Sequence, residues 1–271
     1  MRFIGGDDGH AREAEVRHGA RHRADVERIA RRDQNNIDAF ALRLGQQRTI
    51  VELRSWIATL LSRMTEGTQS ELQEIEQLCA TARECYARGW VPATSGNFSV
   101  RWGSRIAITP TGLDKGMLVP PDLLEIDMNG SVLGGRGRPS AETSLHTVIY
   151  RERAHARAIL HVHTIWNTLL SGKCEAAGYV NLAGYELLKG LAGVATHDHT
   201  ERVPIIANTQ EYDALSEKFR EVLRNDPDAH GVLLSRHGLY TWGESVAEAR
   251  RHLEALEFLF EVEGRQLFGG I

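Results

Sequence analysis

A pair of histidines stands at the end of a short apolar run. Residues 158–164, which read Ala-Ile-Leu-His-Val-His-Thr, predict a β-strand that carries His161 and His163. Because successive side chains of a strand point to opposite faces, these two histidines share one face. Two imidazoles side by side can share one metal ion, and Zn²⁺ accepts imidazole nitrogen readily. The pattern is short, so a polar sheet face is the better interpretation unless a third ligand and a reacting carboxylate exist elsewhere.

Candidates for both roles lie in other parts of the chain. A second apolar strand pattern ends at His237. Glu142 lies near the start of a predicted helix, where a negative charge is favoured without any catalytic role. Glu186 lies three residues before Lys189, and a surface ion pair of that kind contributes little to stability. Another H-x-H, at residues 197–199, has no apolar run before it and is interpreted as a loop.

Small-residue turns with hydroxyl and amide groups predict a second kind of site. Ser95-Gly96-Asn97 is typical of a turn that exposes backbone N–H groups, which can bind an anion. Thr111-Gly112 lies in another turn, and Lys115 follows closely. Two such turns with a lysine could bind one phosphate group, although Ser-Gly-Asn is also simply a good turn tripeptide.

The composition is that of a globular protein with an ordinary core. The chain has 271 residues, of which 42% are apolar and 25% charged, and its net charge is −4. That charge gives no basic field, so nucleic acid is not an expected partner. No apolar run approaches the length of about 20 residues that spans a bilayer, and the N-terminus lacks a secretory apolar core, so no membrane partner is expected. Three cysteines in so long a chain make no disulfide framework and fit a reducing cytoplasm.

Residues 1–63 differ in composition from the rest. They contain twelve arginines and no lysine, and strong apolar periodicity is rare before Ile50. A basic arm or a transit peptide would explain the arginines, but the acidic residues among them are unusual for a transit peptide. We therefore expect residues 1–63 to be a disordered extension or sequence upstream of the native start. The domain itself is expected to cover residues 64–271.

The elements that would position the candidate residues are helices mixed with hairpins. Apolar spacing predicts helices over residues 70–89 and 245–260, and a shorter helical piece over residues 183–189. Asn129-Gly130 is typical of a hairpin turn, and Pro204 predicts an edge strand because proline cannot donate to a central ladder. Hairpin-like pairs dominate over βαβ patterns. The predicted fold class is therefore α/β, an α/β/α sandwich with a largely antiparallel central sheet covered by helices.

Taken in order, these pieces resemble the class II aldolase/adducin-head superfamily over roughly residues 70–265. Five motifs carry the resemblance: Ser95-Gly96-Asn97, Thr109-Pro110-Thr111-Gly112, Ser140-Ala141-Glu142, His161-Val162-His163, and His237-Gly238 followed by Gly243. The resemblance implies one Zn²⁺ per subunit, held by His161, His163 and His237. It also implies a sugar-phosphate substrate whose phosphate is bound by Ser95, Gly96, Asn97, Thr111, Gly112, Lys115 and Ser140. Members of the superfamily are usually tetramers with sites near subunit contacts, so a homotetramer is expected.

Three segments are most similar to the dehydratases of this superfamily that act in methionine salvage: residues 88–97, 185–190 and 236–243. That similarity implies a lyase that removes water from 5-methylthioribulose 1-phosphate and gives 2,3-diketo-5-methylthiopentyl 1-phosphate. Glu186 aligns with the catalytic glutamate of this branch, whereas Glu142 lies where the aldolases keep their acid/base residue. We predict Glu186 as the base at C3 and Glu142 as a carboxylate near the metal that orients water or substrate hydroxyls. The residue pattern alone does not decide which of the two glutamates removes the proton.

Two other functions are compatible with parts of the pattern. A class II aldolase or epimerase acting on another ketose phosphate would use the same zinc site and break a different bond. A non-catalytic, adducin-like interaction module is disfavoured, because such a module would lack the metal histidines and all three are present in the sequence.

Overall fold

The computed structural model describes residues 66–269, so the expectations for residues 1–63 lie outside the described residues. This part of the chain contains nine strands: β1 (Asn97–Trp102), β2 (Arg105–Ile108), β3 (Leu124–Asp127), β4 (Val132–Gly134), β5 (Ala158–Val162), β6 (Tyr179–Ala183), β7 (Thr200–Ile206), β8 (Gly231–Leu234) and β9 (Gly238–Gly243). It also contains five α-helices: α1 (Glu66–Ala87), α2 (Thr143–Glu152), α3 (Ile165–Lys173), α4 (Tyr212–Asn225) and α5 (Val246–Gly269). Within the same residues, no helix is both long and apolar enough to cross a bilayer.

The nine strands form one sheet in the order β4-β3-β2-β1-β5-β9-β8-β7-β6. Seven of the eight neighbouring pairs are antiparallel, and β7 runs parallel to β8. Strands β1, β5 and β9 lie side by side at the centre, where Asn97 is opposite His161 and His161 is opposite Tyr240. The predicted largely antiparallel sheet is confirmed.

Helices cover both faces of the sheet, because the central strands are apolar on both sides. Leu160 of β5 belongs to a buried cluster with residues of α1, α3 and α5, including Leu253. Its neighbour Ile159 belongs to a second cluster, with residues of α2 and α4 that include Phe219. The predicted sandwich is therefore confirmed. Because side chains alternate along a strand, His161 points to the same layer as Ile159 and faces α2 and α4.

At the β6–β7 end of the sheet one expectation is wrong and another holds only in part. Pro204 lies in β7, which is an interior strand between β6 and β8 and not an edge strand. The sheet tolerates the proline because the parallel ladder between β7 and β8 begins only at Ile205. The predicted helical piece at residues 183–189 is instead the end of β6 followed by a 3-10 turn over Glu186–Gly190. Strand β6 is hydrogen-bonded to β7, whose residues lie about twenty positions further along the chain. Local apolar spacing does not reveal such a pairing.

Candidate metal centre and active site

Four side chains converge at one end of the central strands. His161 lies near the end of β5 and His163 follows that strand. His237 lies in the turn between β8 and β9, and Glu142 immediately precedes α2. Each offers one ligand atom, and these four atoms lie within 4.8 Å of one another. Nε2 of His161 lies 2.8 Å from Nε2 of His163, and Nε2 of His237 lies 3.0 Å from Oε1 of Glu142.

Gly238 lets the third histidine come this close. A Cβ atom at position 238 would lie 2.4 Å from the carbonyl oxygen of Val162 and 2.8 Å from Cε1 of His161. The turn itself is tight, because Arg236 has a positive φ of 55° and reverses the chain between β8 and β9. The reversal brings His237 to the end of β5 and leaves no room for a side chain at the next position.

Oxygen acceptors hold the outer nitrogens of two histidines. Nδ1 of His161 lies 2.9 Å from the carbonyl oxygen of Leu239, and Nδ1 of His237 lies 3.3 Å from Oδ1 of Asn208. A carbonyl oxygen can only accept, so each of these Nδ1 atoms carries a proton, and a neutral ring then has its Nε2 lone pair free for a metal ion. Histidine ligands of metal ions adopt this arrangement. The four side chains therefore form a group that can hold a metal ion.

Burial and mutual charge set the protonation states of the group. Burial lowers the pKa of His161 well below its usual range and that of His163 to about 4, because a charged ring loses its hydration. Burial would raise the pKa of Glu142, but the nearby histidines outweigh it and lower this pKa below its ordinary value. At neutral pH the group offers neutral rings at His161 and His163 and a carboxylate at Glu142, which are the forms that bind metal.

The described domain matches a known family. Residues 76–263 match the family of the Class II Aldolase and Adducin N-terminal domain. The chain belongs to this family.

Two relatives of this class II aldolase-family chain carry the same name, methylthioribulose-1-phosphate dehydratase. The protein from Methylococcus capsulatus (strain ATCC 33009 / NCIMB 11132 / Bath) is 50% identical over 190 residues, which cover 70% of this chain and 92% of that protein. The protein from Stenotrophomonas maltophilia (strain K279a) is 46% identical over 204 residues, which cover 74% of this chain and 95% of that protein.

Solved structures of the family share the fold. The l-fuculose-1-phosphate aldolase from Thermus thermophilus superposes with a TM-score of 0.58 at 26% identity, over 73% of this chain and 96% of that chain. YgbL from Escherichia coli, described as a putative aldolase/epimerase/decarboxylase, superposes with a TM-score of 0.59 at 25% identity, over 71% of this chain and 89% of that chain.

In this class II aldolase domain, Lys115 connects two of the turns predicted to bind phosphate. Its ammonium group is buried and donates to the carbonyl oxygens of Thr94, at 2.9 Å, and of Leu113, at 3.0 Å. Burial lowers the pKa of Lys115 to about 8.

Next to Thr94, Ser95 has a buried hydroxyl that has no hydrogen-bond partner among residues 66–269. Gly96 follows with a φ of +72°, and a Cβ atom there would lie 2.7 Å from the carbonyl oxygen of His161. The Ser95 hydroxyl is therefore a buried polar group without a partner in the described part of the chain, next to a glycine that approaches the backbone of His161.

The other residues predicted to bind phosphate have different surroundings. Nδ2 of Asn97 donates to Oε2 of Glu142 at 2.5 Å. Oγ of Ser140 accepts from the backbone N–H of Glu142 at 3.3 Å. Thr111 and Gly112 are exposed in the turn that follows β2. The structure thus brings Asn97 and Ser140 to the candidate active-site carboxylate and leaves Thr111 and Gly112 at the surface.

Glu186 lies on the surface of its own chain. Its side chain is 74% exposed and accepts from Nζ of Lys189 at 2.5 Å. Its other carboxylate oxygen lies 3.9 Å from Nδ1 of His197. Within residues 66–269, Glu142 is the carboxylate that lies among the histidines, and Glu186 does not belong to that group.

The sequence reasoning missed several residues that support the group. Ser99, His146 and Tyr150 form a buried polar chain behind Asn97 and Glu142. One signal was available, because His146 lies four residues after Glu142 and four residues place two side chains on one face of a helix. Asn208 and the carbonyl of Leu239 left no comparable signal, since their contacts with the histidines depend on the tertiary fold.

Proposed function

We propose that this class II aldolase domain is a zinc-dependent hydro-lyase of methionine salvage. It converts 5-methylthioribulose 1-phosphate into 2,3-diketo-5-methylthiopentyl 1-phosphate. One observation carries the proposal: the 50% identity to the Methylococcus capsulatus dehydratase extends over 92% of that protein. The low cysteine content, three in 271 residues, supports a cytoplasmic location.

The metal is assigned to the three histidines. His161, His163 and His237 would hold one Zn²⁺ per subunit, because a set of three histidines is typical of catalytic zinc and leaves a coordination position for substrate. The bonded Nδ1 atoms of His161 and His237 support the assignment, since they leave each Nε2 free to coordinate. When bound, the metal supplies Lewis-acid polarisation of the C2 carbonyl, which makes the proton on C3 easier to remove.

The reaction removes the elements of water across C3 and C4. A base takes the proton from C3, the C4 hydroxyl leaves with a proton as water, and the enol that remains rearranges to a ketone at C3. We assign the removal of the C3 proton to Glu186 and the orientation of water or substrate hydroxyls to Glu142. Phosphate binding is assigned to the small-residue turns, where Lys115 donates to the carbonyl oxygen of Thr94 and the next residue, Ser95, has a hydroxyl without a partner among the described residues.

A surface carboxylate can act at C3 only if it enters a site in the assembled protein. We propose a homotetramer in which Glu186 completes the site of a neighbouring subunit. Apolar side chains support a contact near this residue: Leu187, Ile165 and Phe258 are exposed and, with Trp90, line a cavity of about 580 Å³. Apolar surface of this kind marks protein–protein contacts.

Product identification tests the proposed reaction. The zinc-loaded full chain is incubated with 5-methylthioribulose 1-phosphate, and the product is identified by mass spectrometry and NMR. We expect a diketone phosphate that is lighter than the substrate by one water. Dihydroxyacetone phosphate with a methylthio aldehyde would show cleavage of the C3–C4 bond, and the dehydratase assignment would then be replaced by an aldolase. His161→Ala protein serves as the control for turnover without the metal group.

A further inference from the structure

A chain of buried polar groups lies behind Glu142. Nδ2 of Asn97 donates to Oε2 of Glu142, and Oδ1 of Asn97 is hydrogen-bonded to Nε2 of His146. Nδ1 of His146 lies 2.7 Å from Oγ of Ser99, and the same Oγ lies 2.8 Å from the hydroxyl of Tyr150. His146 and Ser99 are fully inaccessible to solvent, and Asn97 and Tyr150 are nearly so. The links from Asn97 to Tyr150 are therefore buried, whereas the link from Asn97 to Glu142 is partly buried.

The local structure explains why these groups meet. Glu142 and His146 are four residues apart at the start of α2, so they lie on the same side of the helix. Asn97 and Ser99 are two residues apart on β1, so they point to the same face of the sheet. Helix α2 packs on that face, where Glu142 contacts Asn97 and His146 contacts both Asn97 and Ser99.

The direction of each hydrogen bond follows from donor and acceptor chemistry. A carboxylate only accepts, so Asn97 presents its NH₂ group to Glu142 and its oxygen to His146. That oxygen requires a proton on Nε2 of His146. A neutral imidazole carries one proton, so Nδ1 is bare and accepts the Ser99 hydroxyl. Because the Ser99 proton goes to His146, Ser99 accepts from the hydroxyl of Tyr150, which also lies 3.4 Å from the carbonyl oxygen of Arg157.

We propose that His146 is a positioning residue for the active site, because its Nε2–H fixes the side-chain amide of Asn97 with the NH₂ group toward Glu142. The proposal rests on the proposed function, in which Glu142 orients substrate hydroxyls. A rotation of the Asn97 amide by 180° would place its oxygen against the carboxylate and leave the N–H of His146 facing an NH₂ group. Neither contact is favourable in a buried site. Asn97 therefore holds the carboxylate of Glu142 through Oε2, and Oε1 stays directed at His237.

Burial also keeps His146 in the required form. It lowers the pKa of His146 to about 3, because the ring has no access to water. The ring is thus neutral throughout the pH range in which enzymes of this kind are assayed, and its Nε2–H tautomer persists. One N–H of the Asn97 side-chain amide is then committed to Glu142.

The tautomer of His146 is the first test. Long-range ¹H–¹⁵N NMR spectra of the metal-loaded full chain report which ring nitrogen carries the proton, and the His146 signal is assigned by its loss in His146→Gln. We expect the proton on Nε2. A proton on Nδ1 would overturn the proposal, because Asn97 would then face Glu142 with its oxygen. This measurement needs no turnover, so it decides the proposal even if the protein fails to dehydrate 5-methylthioribulose 1-phosphate.

Matched substitutions are the second test. Gln retains an N–H near the position of Nε2, whereas Leu has a similar size and no donor. We expect His146→Leu to lower kcat/KM by about 10–100-fold with metal retained, as for other groups that orient a site residue, and His146→Gln to recover most of it. The loss should divide between kcat and KM as it does in Glu142→Gln, and it should largely vanish when His146→Leu is made in the Glu142→Gln background.

Controls separate positioning from general loss of stability. His252 is another buried histidine, bonded to the carbonyl of Trp242 and the backbone N–H of Ala192, and it lies outside the site. His252→Leu should lower the thermal midpoint and leave kcat/KM unchanged. Equal impairment by His146→Leu and His146→Gln, or fully additive losses with Glu142→Gln, would overturn the proposal. Should His146→Leu fail to fold, His146→Met takes its place as a second variant without a donor, and equal impairment by His146→Met and His146→Gln would then overturn the proposal.

Discussion

Nε2 of His237 lies 3.0 Å from Oε1 of Glu142, while the other oxygen of the same carboxylate accepts the buried amide of Asn97. One oxygen of Glu142 thus faces His237, and the other is bonded to Asn97 and lies 3.7 Å from Nε2 of His161. A carboxylate restrained on both sides is suited to orienting a bound group. This relationship supports the assignment of orientation to Glu142 and of proton removal to a second carboxylate.

Metal content should depend on each of the three histidines. We expect His161→Ala, His163→Ala and His237→Ala each to lose stoichiometric zinc, because a three-ligand site loses much of its affinity with one ligand. Metal analysis of the purified proteins measures this. His197→Ala, which changes an exposed histidine of the second H-x-H, is the control and should keep its zinc. Zinc at wild-type stoichiometry in His161→Ala would remove that residue from the site.

The two glutamates should respond differently to substitution. We expect Glu186→Gln to lower kcat by about 10²–10⁴-fold with little change in KM, because it removes the base. Glu142→Gln should lower kcat less and raise KM more, because it removes an orienting group. Steady-state kinetics on 5-methylthioribulose 1-phosphate, with zinc content checked, distinguish the two. Near wild-type kcat in Glu186→Gln beside an inactive Glu142→Gln would reverse the assignment.

Mixed oligomers should test whether Glu186 acts across a subunit contact. Glu186→Gln and His163→Ala proteins are each inactive alone, but in a mixed tetramer the intact histidines of one chain can meet the intact Glu186 of another. After dissociation and random reassembly at equal amounts, we expect roughly a quarter of the sites to be complete. Activity of the mixture, compared with each variant reassembled alone, measures this. No recovery in verified mixed oligomers would place both groups on one chain.

Glu257 should make the stability of the domain fall as the pH rises. Burial raises the pKa of this carboxyl from 4.5 to about 7, while hydrogen bonds from Thr164 and Asn167 lower it by less. The folded state therefore binds one more proton than the unfolded state between about pH 4.5 and pH 7. The free energy of unfolding should lose on the order of 3 kcal/mol across this window and nothing more from this group above it.

Glu257→Gln isolates that contribution, because glutamine resembles the protonated carboxyl and can bond to both Thr164 and Asn167. Urea unfolding of the wild type and the variant at pH 5 and pH 8 measures the difference. We expect the variant to gain stability relative to the wild type as the pH rises. Parallel curves for the two proteins would show that Glu257 does not titrate in this range. Comparing the proteins at each pH cancels the protonation of the metal histidines.

The segment before Met64 should be dispensable. Protein that starts at Met64 has 271 − 63 = 208 residues and retains every motif of the family match, which begins at residue 76. We expect it to fold, bind zinc and turn over substrate as the full chain does. Circular dichroism, metal analysis and kinetics of the two proteins test this. Loss of folding or zinc in the shorter protein would show that residues 1–63 are part of the working domain.

Much of the fold and the nature of the site could be predicted from the sequence, because the relevant patterns are local. The period of two along β5 places His161 and His163 on one face, and apolar spacing marks most of the helices. Proline was less decisive, since Pro204 suggested an edge strand and the structure places it inside the sheet. Whether a strand has one neighbour or two depends on distant segments that its own residues do not specify.

The tertiary structure alone decided which polar groups face one another. Asn97 was predicted only as a phosphate-binding residue, and the pairing of β1 with β5 and the packing of α2 also bring its amide to Glu142. His146 gained its role in the same way, from a contact between a helix and a strand almost fifty residues apart. Hydrogen bonds of this kind are short-range and directional, so they form only after long-range packing has set the positions of both partners. Residue types and spacing therefore determined which chemistry the chain carries, and the packing of α2 on the central strands determined which atoms are placed to perform it.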